Sequence, residues 1–243
     1  MNIKKKRIVI TGGTSGIGYE IVKYLHPDNE VVVISRSASK LNKLSQDFEG
    51  VITYQADLSK LDDVETVADS IVKHFESIDL LINNAAVQHT PTFIDDEFKY
   101  ETINYEITLN FTSICSLIYL LLPALLHQNK AVILNVNSAL ALTPKTSSAI
   151  YCATKGALNI FSQSLRYQLE KTNISVQQVF LELVDTSMTI GRGKNKISAE
   201  DAAKKIILGI ERDISDNYIG KVKLLRIFLR LMPSIAQRIL KSS

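Results

Sequence analysis

The region that decides the fold lies near the N-terminus, where the chain reads Arg7-Ile8-Val9-Ile10-Thr11-Gly12-Gly13-Thr14-Ser15-Gly16-Ile17-Gly18. Residues 8–10 are apolar and β-branched, and the β-branched Thr11 follows them, which predicts a buried strand at residues 7–11. The glycines allow a tight turn, and an amphipathic stretch at residues 17–25 predicts a helix directly after them. The N–H groups and dipole of a helix N-terminus favour phosphate. A glycine cluster alone is equally a tight strand-to-helix turn, but its place after the first strand favours a dinucleotide site.

The alternation of strand and helix continues along most of the chain. Apolar runs predict five further strands, at residues 31–35, 51–55, 80–83, 131–136 and 176–180. Amphipathic stretches between them predict helices at residues 38–48, 61–75, 107–126 and 149–171. This order predicts a single-domain, Rossmann-type α/β fold, in which helices cover both faces of a doubly wound parallel sheet.

Composition narrows the class of protein. The chain has 243 residues, of which 46% are hydrophobic and 22% charged, so one sizeable core is expected and neither disorder nor a disulfide scaffold is indicated. Its two cysteines, Cys115 and Cys152, are expected to be reduced in a cytoplasmic protein. The basic N-terminal residues lack the apolar stretch of a secretory signal. Residues 107–126 are apolar, but Asn110 and Pro123 favour a buried interface helix over a membrane span.

Positive charge concentrates at the C-terminus. The net charge is +3, and residues 220–243 contain six cations and no acid among many aliphatic residues. We therefore predict a nucleotide-binding domain at residues 1–219 and a basic amphipathic extension of the same domain at residues 220–243. Such a segment is suited to an anionic membrane surface or to packing on a neighbouring subunit. No basic face with interleaved aromatic residues accompanies it, so nucleic acid is not an expected partner.

The end of the second predicted strand indicates which nicotinamide cofactor is preferred. An acidic residue there would bind the ribose 2′-hydroxyl of NAD, whereas arginine accommodates the 2′-phosphate of NADP. This chain has Ser35 and Arg36 and no carboxylate. NADP is therefore favoured over NAD, although Arg36 is also compatible with a solvated residue at the start of a loop.

Four motifs occur in a fixed order. The pattern Thr-Gly-x-x-x-Gly-x-Gly at residues 11–18 is followed by Asn83-Asn84-Ala85, then by Ser138, and thirteen residues later by Tyr151-x-x-x-Lys155. Together they resemble the short-chain dehydrogenase/reductase family over roughly residues 7–190. Residues 82–88 and 184–186 further resemble a bacterial branch of oxidoreductases associated with D-alanylation of teichoic acid, a likeness that implies no particular substrate.

The resemblance implies roles for individual residues. The catalytic asparagine of the family falls on Asn110 rather than Asn104. Asp57 with Leu58 would border the adenine, although Asp57 is equally suited to capping a turn. Val184 and Thr186 would flank the nicotinamide amide, and Thr186 is equally suited to capping the next segment. The complete cofactor set is Gly12, Thr14, Ser15, Gly16, Ile17, Gly18, Ser35, Arg36, Asp57, Leu58, Asn84, Ala85, Ala86, Tyr151, Lys155, Val184 and Thr186.

The chemistry of hydride transfer explains why these residue types occur together. Reduction of a carbonyl leaves an alkoxide, so an acid must supply a proton and a donor must stabilise the oxygen. Tyr151 is the candidate acid, and the ammonium of Lys155, one helical turn away, is expected to lower its pKa. Ser138 would donate a hydrogen bond to the substrate oxygen. Asn110 would hold a water linking Lys155 to solvent, as the family implies. Taken alone, Tyr151 and Lys155 also fit an amphipathic surface pair.

The predicted function is interconversion of a small-molecule carbonyl and alcohol with NADP(H), without a metal, by a homodimer or homotetramer. An alternative is an NADP-binding regulatory or interaction protein. It is favoured by two departures from the family, Ala86 in place of glycine and Leu181-Glu182 in place of Pro-Gly. Epimerases or dehydratases among the longer relatives have a different glycine spacing and a larger C-terminal domain. Residues 189–196 occupy the place of a mobile substrate lid, and their basic residues fit either an acidic substrate or a solvated loop.

Overall fold

The computed structural model describes residues 2–127 and 129–241. Residues 1, 128, 242 and 243, among them the first residue of the basic N-terminal stretch and the last two of the predicted C-terminal extension, lie outside the described residues. The strands are β1 (Arg7–Thr11), β2 (Glu30–Ser35), β3 (Ile52–Gln55), β4 (Leu80–Asn83), β5 (Ala131–Ser138), β6 (Ile174–Leu181), β7 (Val184–Asp185), β8 (Ile197–Ser198) and β9 (Asp216–Tyr218).

Seven of these strands form one sheet in the order β3-β2-β1-β4-β5-β6-β9, and every pair in it is parallel. The short strands β7 and β8 pair separately. All six predicted strands are present, and the prediction of a doubly wound parallel sheet is confirmed. The seventh strand, β9, was not predicted, because its three residues are polar or aromatic and carry no alternating apolar pattern.

Helices cover both faces of the sheet. They are α1 (Gly16–Leu25), α2 (Ala38–Asp47), α3 (Leu61–His74), α4 (Glu101–Ile107), α5 (Ser113–Leu125), α6 (Ala149–Gln168), α7 (Ala199–Glu211), α8 (Val222–Leu231) and α9 (Pro233–Lys241). Side chains alternate along β1, so that Ile8 and Ile10 pack on the face of α1, α2 and α7, while Val9 packs on the face of α3, α5 and α6. Burial on both faces explains why the central strands are almost wholly apolar.

The long apolar stretch predicted as a buried helix proves to be three consecutive pieces, α4, a π-helical segment at Thr108–Thr112, and α5. By length and composition alone, Glu101–Leu125 could cross a membrane. Half of its most apolar 18-residue stretch, however, is buried inside the protein. Ile114, Leu117 and Leu121 pack in the core on the face of α3. This burial is that of a core helix.

The chain reverses direction across the sheet at one point, and this point positions the site. From β1 the chain winds outward to β2 and β3, and it then returns to β4 on the other side of β1 before continuing to β5, β6 and β9. A crevice opens between the carboxyl ends of β1 and β4, which is where ligands bind in sheets of this type. The glycine loop after β1 and the asparagine loop after β4 meet there.

The C-terminal helices pack on the body of the protein through few residues. Val222 of α8 and Ala236 of α9 are buried, and the hydroxyl of Thr146 donates to the carbonyl oxygen of Lys241 at 2.5 Å. Leu224, Ile227 and three further apolar side chains on this part of the chain are exposed, namely Leu231, Met232 and Ile235. The extension is therefore amphipathic, as predicted, and its apolar face is open.

Candidate active site

The glycine loop after β1 is built for close backbone approach. Gly12 and Gly16 have φ angles of +69° and +54°, which lie in the left-handed region that favours glycine. A Cβ at Gly18 would lie 2.3 Å from the carbonyl oxygen of Gly12. Ser15 caps α1 with an extended backbone but without a side-chain capping bond, and the first turn of α1 contains no acidic residue. These features leave the helix N-terminus suited to a phosphate group.

The loop after β4 is clamped onto this glycine loop by hydrogen bonds. The hydroxyl of Thr11 accepts the backbone N–H groups of Asn84 and Ala85, both at 3.0 Å. The side-chain amide of Asn84 donates to the carbonyls of Thr11 at 3.0 Å and Gly12 at 3.2 Å. Ala86 continues the same loop and is half-buried. Asn84 therefore positions the glycine loop through its side chain, which the sequence pattern alone does not specify.

At the opposite end of the crevice, Ser35 is the last residue of β2 and Arg36 follows it. The Ser35 hydroxyl lies 3.2 Å from that of Thr14, which joins the glycine loop to the end of β2. Arg36 is exposed, and its Nη1 donates to the hydroxyl of Tyr105 at 2.5 Å. An exposed guanidinium at this edge is available to a phosphate on the adenosine ribose.

Asp57 lies close to Arg36, and its hydrogen bonds are those of a turn. Its Oδ1 accepts the N–H of Ser59 at 3.0 Å and the Ser59 hydroxyl at 2.8 Å, so the turn-capping alternative describes its contacts. Burial opposes ionisation of this carboxyl, but the Ser59 hydrogen bonds and the Arg36 charge outweigh burial and hold its pKa below the ordinary value. The side chain of Leu58 packs in the core, which leaves its backbone to face a ligand.

Val184 and Thr186 lie at the other end of the glycine loop. The side chain of Val184 is buried in the core, and Thr186 forms a capping box with Thr189, which is the capping role left open by the sequence. A Cβ added at Gly16 would lie 3.1 Å from the methyl group of Thr186. Thr186 is thus in contact range of the glycine loop while it caps the following turn.

Ser138, Tyr151 and Lys155 converge at the carboxyl end of β5. Tyr151 and Lys155 are 8% and 3% exposed, so the surface-pair alternative is wrong. The ammonium of Lys155 lies 5.8 Å from the centroid of the Tyr151 ring and donates to the carbonyl of Val136 at 2.8 Å. The hydroxyl of Ser138 accepts the N–H of Leu140 at 3.2 Å and lies near enough to Tyr151 to act on the pKa of its phenol.

The prediction that Lys155 lowers the pKa of Tyr151 is wrong, because this pKa is raised. Burial raises the pKa of Tyr151 to about 12, and the nearby hydroxyl of Ser138 and the positive charge of Arg192 only partly oppose this rise. Burial also lowers the pKa of Lys155 to about 8, because a low-dielectric site disfavours the ammonium. Tyr151 is therefore a protonated phenol at neutral pH, as a proton donor must be.

Asn110 occupies a distorted turn of helix beside this group. It lies in the π-helical segment and is fully buried, whereas Asn104 is exposed on α4. Its side chain pairs with the backbone of Val87, accepting the N–H at 2.9 Å and donating to the carbonyl at 2.8 Å. Its amide also lies 3.4 Å from the hydroxyl of Thr154. A π-helical turn is frequent at functional sites, which supports the choice of Asn110.

Glu106 is a residue of this site that the sequence did not single out. It lies four positions before Asn110 and is 1% exposed. Burial raises the pKa of its carboxyl to about 7, against a hydrogen bond from the N–H of His89, and its charge acts on Tyr151. Its place four residues before the asparagine was the available signal, but residues 101–110 mix polar side chains such as Glu101 and Asn104 with apolar ones, so nothing in the local pattern marks Glu106 as buried.

The departure at Glu182 is explained by the C-terminal segment. The carboxylate of Glu182 accepts the N–H of Lys221 at 3.3 Å, at the start of α8. Gly220 has a φ of +65°, and a Cβ there would lie 1.6 Å from the Glu182 carboxylate. The carboxylate of Glu182 has thus turned toward the start of a helix, where negative charge is favoured.

The segment at residues 189–196, predicted as a substrate lid, is held by several hydrogen bonds. Lys196 donates to the carbonyl of Thr189 at 2.6 Å and pairs with Asp185 at 3.2 Å. Gly191 and Gly193 both have positive φ, which turns the chain back on itself. Among the described residues, no group of three or more His, Cys, Asp or Glu side chains is arranged to hold a metal ion.

The family model for short chain dehydrogenases matches residues 6–197, which is most of the chain. The chain belongs to the short-chain dehydrogenase/reductase family. Its members bind nicotinamide cofactors, and the glycine loop described above fits such a group because Gly12, Gly16 and Gly18 leave room that a side chain would fill.

Three comparisons place this family member more closely. The chain is 34% identical to the uncharacterized oxidoreductase DltE of Bacillus subtilis over 189 residues, covering 77% of this chain and 75% of that one, which confirms the bacterial branch. It is 29% identical to an NADP-dependent 3-hydroxy acid dehydrogenase of Schizosaccharomyces pombe, covering 85% and 87%. A short chain dehydrogenase of Burkholderia cenocepacia in complex with NADP has the same fold, with a TM-score of 0.88, 23% identity and 99% coverage of both chains.

Replacement of Gly18 by alanine tests the glycine loop. The new Cβ would lie 2.3 Å from the Gly12 carbonyl oxygen and 2.6 Å from the Asn84 amide nitrogen, so the loop and its clamp must shift. Overpacking of this size is expected to weaken NADPH and NADH binding by about ten- to hundredfold in a fluorescence titration. Gly156→Ala is the matched control, because a Cβ there meets nothing within 4 Å. Equal affinities in the two variants would contradict the assignment.

Proposed function

We propose that this protein is an NADP(H)-dependent reductase that converts a carbonyl to an alcohol, with Tyr151 as the proton donor. The observation that carries the proposal is the burial of Tyr151 and Lys155 beside Ser138, at the edge of the sheet where the glycine loop opens. When bound, the nicotinamide supplies the hydride. The residues of the chain supply the proton and the electrostatic environment.

Each residue of the site has a separate task in this proposal. The Ser138 hydroxyl, which lies close to Tyr151, donates to the substrate oxygen and places that oxygen beside the phenol. Tyr151 gives its proton to the oxygen as negative charge develops, because its raised pKa keeps it protonated until then. Lys155 stabilises the phenolate that remains, and Asn110 lies on the route by which the proton is replaced.

The preference for NADP is part of the proposal. Arg36 is exposed at the end of β2 and no carboxylate follows that strand. The name of the Schizosaccharomyces relative and the NADP in the Burkholderia structure support the same preference. The alternative of a non-enzymatic regulatory protein loses one of its two arguments, because the carboxylate of Glu182 is hydrogen-bonded at the start of α8.

We further propose a cytoplasmic homo-oligomer. Tyr119 on α5, and Ile160 and Tyr167 on α6, are between two-thirds and three-quarters exposed, and these apolar side chains lie on the helices expected to join subunits. Cys115 and Cys152 are both free, which is in keeping with a reducing compartment.

The open apolar face of α8 and α9 is proposed to lie on an anionic membrane surface. Six cations and no acid accompany its exposed aliphatic side chains. Contact between two copies through this face would bring like charges together, because a two-fold interface opposes identical patches. An anionic bilayer satisfies both the apolar and the cationic side chains.

Turnover tests the catalytic assignment. With NADPH and a panel of carbonyl compounds, Tyr151→Phe is expected to lower kcat by about three orders of magnitude or more, since the phenyl ring cannot donate a proton. NADPH affinity, measured by fluorescence titration, should change by less than about threefold, because the ring shape is kept. A Tyr151→Phe enzyme that retains turnover excludes the assignment, and a wild-type protein that binds NADPH without turnover supports the regulatory alternative.

Charge reversal at Arg36 tests cofactor preference. Arg36→Asp should weaken NADPH binding by about ten- to hundredfold, since it replaces a charged hydrogen bond to the 2′-phosphate by repulsion. NADH binding should weaken less or improve, because a carboxylate suits the ribose hydroxyl. Lys40→Asp, an exposed cation on the neighbouring helix, is the control. If the ratio of the two affinities is the same in both variants, Arg36 does not select the cofactor.

Vesicle sedimentation tests the membrane contact. The protein should pellet with vesicles containing phosphatidylglycerol and stay in solution with neutral phosphatidylcholine vesicles. The variant Leu224→Ser with Ile227→Ser should lose most of this binding, because both side chains lie on the exposed apolar face. Ile94→Ser, at a side chain that is 93% exposed elsewhere, should bind as the wild type does. Absence of pelleting with the anionic vesicles removes the proposal.

A further inference from the structure

Two cations lie at the mouth of the catalytic site without an acidic partner. Arg192 belongs to the segment between β7 and β8, and Lys145 belongs to the connection between Ser138 and α6. Their charges act on each other, and that of Arg192 also acts on the phenol of Tyr151. Both side chains are half-buried, so solvent screens their charges incompletely.

A chain of hydrogen bonds links Arg192 to the catalytic helix. Its Nη1 donates to the side-chain carbonyl of Gln88 at 2.7 Å, and the amide of Gln88 donates to the hydroxyl of Ser148 at 3.1 Å. Ser148 is buried, precedes the first residue of α6, and has a φ of +60°, which is strained for a residue other than glycine. Tyr151 follows three residues later. The guanidinium is therefore positioned relative to the phenol rather than free in solvent.

Charge balance around the two cations is incomplete. Among the residues that the structure describes, neither Lys145 nor Arg192 forms an ion pair with a carboxylate. The carboxyl of Glu106 accepts the N–H of His89 and acts on Tyr151, and it is not among the groups that act on either cation. Burial lowers the pKa of both groups, and at Lys145 the charge of Arg192 lowers it further. Such an arrangement is stabilised by an anion.

The chemistry of the two side chains indicates the anion. A guanidinium presents five donors in one plane, of which the bond to Gln88 uses one, so that an edge remains for the two oxygens of a carboxylate. Lys145 adds a second positive charge without a fixed direction. Because Arg192 acts on Tyr151, an anion bound to it would belong to the same molecule as a carbonyl held by Tyr151 and Ser138.

We propose that Arg192 and Lys145 form a carboxylate-binding subsite, and that the preferred substrates are oxo acids reduced to hydroxy acids. This inference rests on the proposed reductase function and adds the class of substrate. Gln88 is a positioning residue in it, because it holds Arg192 against the start of α6 and touches no reacting atom. The segment at residues 189–196 then serves as the part of the chain that brings a cation to the substrate.

The test compares acids with their neutral esters. The probes are pyruvate, acetoacetate and levulinate, each beside its methyl ester, with NADPH as reductant. In the wild type, kcat/KM should be higher for at least one acid than for its ester. Arg192→Gln should lower this acid-to-ester ratio by about ten- to hundredfold, mainly through KM, since a charged hydrogen bond to bound substrate is lost. Lys145→Gln should lower it less, because that cation provides charge without a planar fork.

Lys194→Gln is the matched control, since Lys194 is an exposed cation in the same segment. It removes the same net charge and should leave the acid-to-ester ratio at its wild-type value. Equal ratios in Arg192→Gln and Lys194→Gln, with esters and acids both reduced, overturn the subsite while the reductase function stands.

A binding measurement keeps the proposal testable if no probe is reduced, an outcome that would count against the reductase function itself. Malonate is titrated into the NADPH-containing protein, and the midpoint of thermal unfolding is followed. A ligand of the folded state raises this midpoint. The rise should occur in the wild type and in Lys194→Gln and should disappear in Arg192→Gln. The same rise in all three proteins, or in none, overturns the carboxylate subsite.

Discussion

The hydrogen bonds between Thr11 and the loop after β4 are the constraint on which the rest of the site depends. They join the carboxyl ends of the adjacent parallel strands β1 and β4. The loop that they fix then contacts several surrounding elements through consecutive residues. Val87 pairs with Asn110, and Gln88 connects Ser148 with Arg192. Because consecutive residues of one short loop reach the glycine loop, the π-helical turn and the catalytic helix, these parts cannot move independently.

Below this loop, buried amides join neighbouring strands inside an otherwise apolar core. The amide of Asn83 donates to Asn135 at 2.9 Å, and Asn135 donates to Ser162 of α6 at 2.8 Å. Asn137 donates to Gln178 on the next strand at 3.1 Å. Each buried amide left unpaired would cost about 1–3 kcal/mol of folding free energy. A shifted strand register would therefore lose these hydrogen bonds as well as apolar contacts. The polar bonds thereby fix the register of the strands that deliver Ser138 to the site.

Much of this arrangement is readable from the sequence, and the failures have identifiable causes. Periodicity located six strands, since buried parallel strands are uniformly apolar, but it missed β9, which is short and polar. The motifs singled out Ser138, Tyr151 and Lys155, which the structure brings together, yet they led to the wrong direction for the pKa of Tyr151. That error arose because spacing on a helix reports which side chains are neighbours, whereas the pKa depends on how completely those side chains are withdrawn from water. Glu106 was missed for the same reason, since long-range burial leaves no local pattern. Arg192 lies in the segment at residues 189–196, whose basic residues the sequence left open to either an acidic substrate or a solvated loop.

The contact between Glu182 and the start of α8 has a consequence for the order in which the molecule is completed. A ribosome makes the chain from its N-terminus, and domains assemble as their parts emerge. The loop after β6 is therefore synthesised well before Gly220 and Lys221, the residues that receive its carboxylate. Until they emerge, the carboxylate of Glu182 has no helix start to face, close to the nicotinamide end of the crevice. Residues 220 and 221 thus finish a part of the structure whose other elements were made long before them.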